Sequence, residues 1–178
     1  MLPQTALTDL SRAPLIELGD APDGVPGLYL LHDHTHTPRY IGKTGNLHHR
    51  IHSNHCVGNV NSHKFVCAYN AGRLWHSTAK ADRGSIDGKL SKRLRAELAR
   101  RHCRVRVLPL PGIGQDELGF LETQVRRIAP APMNDWNDNK NIPSSEPREL
   151  VDNLLDELGW GEAERAALAR QEALWRTL

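Results

Sequence analysis

The chain contains only three cysteines, Cys56, Cys67 and Cys103. An odd set without zinc-pair spacing suits a reducing cytosol. No run of about 18 or more apolar residues occurs, which excludes a membrane-spanning helix. The opening stretch, Met1 to Asp20, has no basic start followed by an apolar run, so it does not read as a secretory signal. Internal repeats, low-complexity tracts and a His-Glu-x-x-His metal motif are also missing. The expected location is therefore the cytoplasm. At 178 residues, with 39% hydrophobic and 25% charged residues, the composition is that of a globular chain long enough for a real core.

A strong net charge is lacking too, at only +2, but the distribution is uneven. Residues 141–178 hold eight acids against four bases. Between Arg83 and Arg106, nine Lys or Arg face only Asp87 and Glu97. A local excess of this kind suits a polyanion such as DNA, although a solvated helix face gives the same count.

The most informative stretch runs from Gly27 to Arg50. Leu28 to Leu31 and Arg39 to Ile41 are short β-prone runs, and the polar segment from Asp33 to Pro38 between them carries turn residues. Gly42 and Gly45 end the second strand, and Asn46 caps a helix from about Leu47 to Cys56. Alternation puts Tyr29 and Leu31 on one sheet face, with Leu28 and Leu30 on the other. Two tyrosines, a lysine and an arginine are thereby gathered at one end of a small sheet.

Gly27-Leu28-Tyr29, Tyr40-Ile41-Gly42-Lys43, Asn46-Leu47 and Arg50-Ile51 resemble the GIY-YIG nuclease family. Downstream, Leu121-Glu122 and Pro132-Met133-Asn134 are similar to that family's helix glutamate and proline-asparagine ending. The resemblance spans Gly27 to Asn134 in three ordered blocks. It implies an α+β fold with a small sheet of three strands, mixed or antiparallel, flanked by helices. Residues 1–26 would form an irregular lead-in, in which Leu15 to Leu18 adds a short strand or packs on the core, and residues 27–136 the nuclease core. An insertion covers about residues 57–88, and residues 137–178 give a linker and a C-terminal helical hairpin.

The remaining chain fits this plan. Lys64 to Tyr69 reads as a strand or a helix start. Asp87 caps a helix whose apolar row is Leu90, Leu94 and Leu98. Val105 to Leu108 alternates as a strand. A helix from about Gln115 to Ala129 puts Leu118, Leu121, Val125 and Ile128 inward, with Glu122 beside them. Ser145 caps the first helix of the C-terminal hairpin.

The activity implied is divalent-metal-dependent hydrolysis of DNA phosphodiester bonds. A sequence-specific type II restriction enzyme, dimeric on double-stranded DNA, is the form expected. A structure-selective repair nuclease, a nuclease toxin and an inactive DNA-binding module are the alternatives. The implied catalytic set is Tyr29, Tyr40, Lys43, Arg50, Glu122 and Asn134. Glu122 offers one hard oxygen ligand to Mg²⁺ or Mn²⁺. Arg50 holds the phosphate by paired hydrogen bonds, and Asn134 supports the site. Tyr29 accepts the attacking water's proton, which requires nearby cations to lower a phenol pKa of ~10.

Two departures from the family leave alternatives. The family's histidine often lies four residues after its arginine, where this chain has Asn54, so His55 and His49 both stand as candidates. Arg93 is a rival for Arg50, which is favoured because it follows the second block directly. Arg73, Lys80, Arg83, Lys92, Arg93 and Arg95 are the expected DNA contacts. Histidine stripes at His48, His52 and His55 and at His32, His34 and His36 raise a zinc site as a rival reading.

Overall fold

A computed structural model describes residues 1–57, 63–76, 85–138 and 145–178. The fold is α+β, built on a four-stranded antiparallel sheet. Its strands are β1 (Ile16–Glu17), β2 (Gly27–His32), β3 (Pro38–Thr44) and β4 (Arg104–Pro109), in the order β1-β4-β2-β3. The expectation of three strands falls one short. Ile16 and Glu17 pair with Val105 and Arg104, which adds a two-residue edge.

That edge lies in Leu15 to Leu18, where a short strand is one reading, but the lead-in also forms helix α1 (Pro3–Arg12), where no element is expected. Its prolines hide an amphipathic turn in which Ala6, Leu7 and Leu10 are buried. Pro3 lies in the first turn, where its missing N–H costs no helical hydrogen bond. The lead-in is therefore packed structure.

Strand β2 is buried along its whole length, because both faces of the sheet are covered. Leu28 and Leu30, with Ile41, join α1 and helix α5 (Gln115–Ile128) in one core through Leu10, Leu118 and Val125. Ile128, expected inward, is exposed at the last residue of α5. Tyr29 and Leu31 face a larger core containing Ile51, Phe65, Leu94 and Leu98. Burial on two faces fixes the register, since a one-residue slip would exchange both sets.

After β3 the chain enters a π-helical turn (His49–Asn54) and a short helix α2 (His55–Val57). Lys64–Cys67 forms helix α3. Helix α4 (Ile86–His102) is capped by Ser85, whose Oγ accepts from the Gly88 N–H at 3.0 Å. Asp87, the expected cap, instead pairs with Arg170 at 2.8 Å. Asp135–Asp138 forms helix α6, where a linker is expected from Trp136, and Trp136 and Asn137 are buried there.

Helices α7 (Arg148–Glu157) and α8 (Glu162–Trp175) follow, and α8 packs on α4. Pro147 rather than Ser145 precedes α7, and the Glu146 carboxylate just before it is engaged by Arg73. No helix among the described residues is long and apolar enough to cross a membrane.

Candidate active site

The site begins at a cross-strand pair, Tyr29 on β2 opposite Gly42 on β3. The Tyr29 ring leans over Gly42 so closely that a Cβ there would stand 2.4 Å from the phenol oxygen. Glycine at this position is the space the ring occupies. Tyr40, two residues earlier on the same strand, stacks beside Tyr29 with ring centroids 6.2 Å apart. Strand alternation thus brings both phenols to one sheet face.

The arginine segment reaches them through an irregular turn. Asn46 caps it, with Oδ1 accepting from the His49 N–H at 3.1 Å. The turn from His49 is π-helical, and the His55 N–H bonds the Arg50 carbonyl five residues back. In an α-helix the residue four after Arg50, Asn54, would share its face; the wider π turn brings His55 there instead. The one-residue offset in the sequence is absorbed by the backbone.

His55 is fully buried, and its Nε2 stands 2.8 Å from the Tyr29 hydroxyl. Arg50 Nε donates to the same oxygen at 3.4 Å and also faces Tyr40. The direction of the Tyr29–His55 bond follows the imidazole tautomer: with the ring proton on Nδ1, the phenol donates to Nε2. That Nδ1 is buried without a hydrogen-bond partner. His49, the other candidate histidine, is exposed and acts on Asp23, away from the phenols.

The electrostatics bear directly on Tyr29 as a base. Burial drives the Tyr29 phenol well up from its ordinary value, helped by Tyr40, and the pull of Arg50 does not offset it. Arg50 by itself therefore does not make Tyr29 a ready base, because desolvation of the phenolate is the larger effect. Tyr40 is raised for the same reason, burial. Burial likewise holds His55 well below 6.5, with Arg50 and His63 adding to the effect. The pair is thus a neutral donor on a neutral acceptor.

Helix α5 closes the site from the β3 edge. Glu122 acts electrostatically on both phenols and approaches Arg126 at 3.6 Å. One turn earlier stands Gly119, where a Cβ would meet the Lys43 ammonium at 2.7 Å. Lys43 thus lies against α5 one turn before Glu122. Asn134 Nδ2 donates to the Arg126 carbonyl at 2.6 Å, holding the end of α5.

A second asparagine, absent from the sequence reading, is more tightly used. Asn137 is buried, and its side-chain amide pairs with both backbone groups of Ile41, Oδ1 with N–H at 2.9 Å and Nδ2 with C=O at 2.6 Å. It fixes the exposed edge of β3 between Tyr40 and Gly42. The sequence signal was the second asparagine in Asn134-Asp135-Trp136-Asn137, one helical turn on.

Glu122 is a single partly accessible carboxylate beside hydroxyls and a guanidinium. Such a set fits a hard, hydrated Mg²⁺ that takes few protein ligands. Among the described residues, no three His, Cys, Asp or Glu side chains are grouped to share an ion. The histidine stripes are spent elsewhere: His48 stacks on His52, His55 meets Tyr29, and His34 bonds Tyr69.

The expected DNA contacts divide. Lys92, Arg93 and Arg100 line a groove along α4. Lys92 and Arg50 both act on His63, and Arg100 acts on His52, so this basic helix flanks the site. Arg93 also lies over the Trp160 ring, 5.4 Å from its centroid. Arg95 is buried, bonding Asn70 Oδ1 at 2.5 Å and the Leu74 carbonyl at 3.4 Å, where it faces no solvent. Arg73 is taken up by Glu146 at 2.6 Å and Asp152 at 2.5 Å, which ties its loop to α7. Lys80 and Arg83 lie outside the described residues.

No family model, curated protein or solved structure matches the chain.

Proposed function

We propose that the protein is a divalent-metal-dependent endonuclease that hydrolyses phosphodiester bonds in double-stranded DNA, of the GIY-YIG kind. The observation that carries this is the convergence of Tyr29, Tyr40, Arg50 and His55 with Glu122, gathered from the hairpin, the π turn and α5. The basic face of α4 beside them supplies the cations that a polyanion requires.

Each residue then has a role. Arg50 holds the scissile phosphate and neutralises charge as it builds. Lys43 orients the attacking water. As that water gives its proton to the Tyr29 oxygen, Tyr29 passes its own to His55 Nε2, and the hydroxide adds to phosphorus. The leaving O3′ departs and takes a proton from solvent. Glu122 would hold Mg²⁺ as its one carboxylate ligand, and the ion would stabilise the phosphorane-like charge.

The finer reading is a type II restriction enzyme acting as a dimer, supported by the insertion and the helical extension around one compact core. Incubating a plasmid with the protein in Mg²⁺ or in EDTA, then sequencing the ends, tests it. Cutting in Mg²⁺ alone at one short sequence is expected. Retardation of DNA without cutting would instead make the chain a binding module.

A further inference from the structure

Four rings stand around His55: Tyr29 with its centroid at 5.4 Å, Tyr40 at 5.3 Å, His63 at 5.7 Å and Phe65 at 6.1 Å. Tyr29 takes up Nε2. Of the other three rings, only that of His63 carries a basic nitrogen. It meets His55 edge-on, with 71° between the ring planes. His55 Nδ1 and His63 Nδ1 are both buried without a hydrogen-bond partner, whereas a histidine kept for packing ordinarily bonds its buried nitrogen. The two rings differ in solvation. His55 is fully buried, while His63, the residue before α3, is partly exposed.

The proposed chemistry gives these nitrogens a task. Once Tyr29 has passed its proton to His55 Nε2, an imidazolium would stand fully buried with Arg50 acting on it. A buried charge without a counter-charge is costly. Nδ1 is the only atom through which that charge leaves the ring without undoing the transfer.

Resting on the nuclease reading above, we propose that His63 is a proton-relay residue acting through His55: it takes the Nδ1 proton, after a small ring rotation or across one water, as Nε2 receives the proton of Tyr29. The His55 Nδ1–H bond breaks and an N–H bond forms on His63, so His55 stays neutral and the positive charge moves to the better-solvated ring. When the product leaves, the proton returns to Nδ1 and the Nε2 proton goes back to the Tyr29 oxygen. The proton that Tyr29 took from the attacking water then passes to solvent, and all three groups regain their starting state. Burial, Arg50 and Lys92 each disfavour a charged His63. Burial disfavours a charged His55 more strongly, with Arg50 and His63 adding to it, so the transfer runs toward His63.

The test uses the full chain at saturating protein on plasmid in Mg²⁺, below the melting temperature of every variant. His63→Gln fills the space but takes up no proton, and His63→Ala leaves a gap the size of the ring. Each should slow single-turnover cleavage about 10²-fold, the lower end for a positioned proton-transfer group, with duplex affinity near wild type. Imidazole in solution should restore His63→Ala and leave His63→Gln and wild type as they were, a split that a packing role does not produce. His63→Gln cutting at the wild-type rate overturns the inference, as does His63→Ala that imidazole fails to restore; either result leaves the nuclease reading standing. Wild type that cuts no plasmid in Mg²⁺ removes the nuclease reading instead, and this inference with it, before the variants are needed.

Discussion

The Tyr29 hydroxyl and His55 Nε2 stand 2.8 Å apart across 26 residues of sequence, and a π turn aligns them. If the two move one proton as a unit, their loss is not additive. Tyr29→Phe and His55→Ala should each lower the single-turnover cleavage rate by about 10²–10⁴, the range for general acid–base groups. The double variant should be no slower than the slower single one. Multiplying losses would show that the two act independently.

The same pair sets a pH dependence. The folded pKa of His55 lies below the unfolded value near 6.5, so the unfolded chain binds that proton first. Its contribution to stability is complete above about pH 6.5 and is lost as pH falls through the window below. Urea midpoints should therefore drop between pH 7.5 and 5.5, and drop less in His55→Phe. An identical drop in both would assign the acid sensitivity to other groups, His63 and His52 being the nearest that are also depressed.

Gly42 tests the packing beneath the chemistry. A methyl group there would meet the Tyr29 phenol at 2.4 Å, so the ring must move or the strands must part. Gly42→Ala should cost about 1–3 kcal/mol of stability, as overpacking does, and should lose cleavage with Tyr29 displaced. Thermal melts and rates on one preparation check both, and retention of full activity would contradict the close approach.

Much of this was legible in the residues, and the exceptions have physical causes. Strand alternation alone separates Tyr29 and Leu31 from Leu28 and Leu30, as the two cores do. The histidine stayed ambiguous because a π turn changes residue spacing without a composition signal. The burial that raises the Tyr29 phenol is not visible in the sequence, whereas the cations near it are. Asn137 was passed over in a stretch whose polarity resembled a linker. α1 was hidden by prolines that a first turn tolerates.

Arg73 and Arg93 look interchangeable as basic residues, and the structure separates them. Arg73 sits between Glu146 and Asp152, and the Glu146 side chain is nearly buried. Arg73→Ala should destabilise the fold by about 3 kcal/mol, because it leaves a buried carboxylate unpaired. Arg93 is exposed on the basic helix, so Arg93→Ala should leave the melt almost unchanged. It should weaken DNA binding and flatten its salt dependence by about one unit of slope. Melting curves and binding isotherms at several salt concentrations check the pair; exchanged phenotypes would refute the assignment.

The most direct measurement concerns Glu122, which comes from a helix remote in sequence yet acts on both phenols. Glu122→Gln keeps the side chain's size and removes its charge. With Mg²⁺ and saturating protein, its single-turnover cleavage should fall about 10²–10³-fold, the scale of a lost transition-state electrostatic contact, while duplex affinity stays near wild type. Cleavage by Glu122→Gln at the wild-type rate would contradict the account.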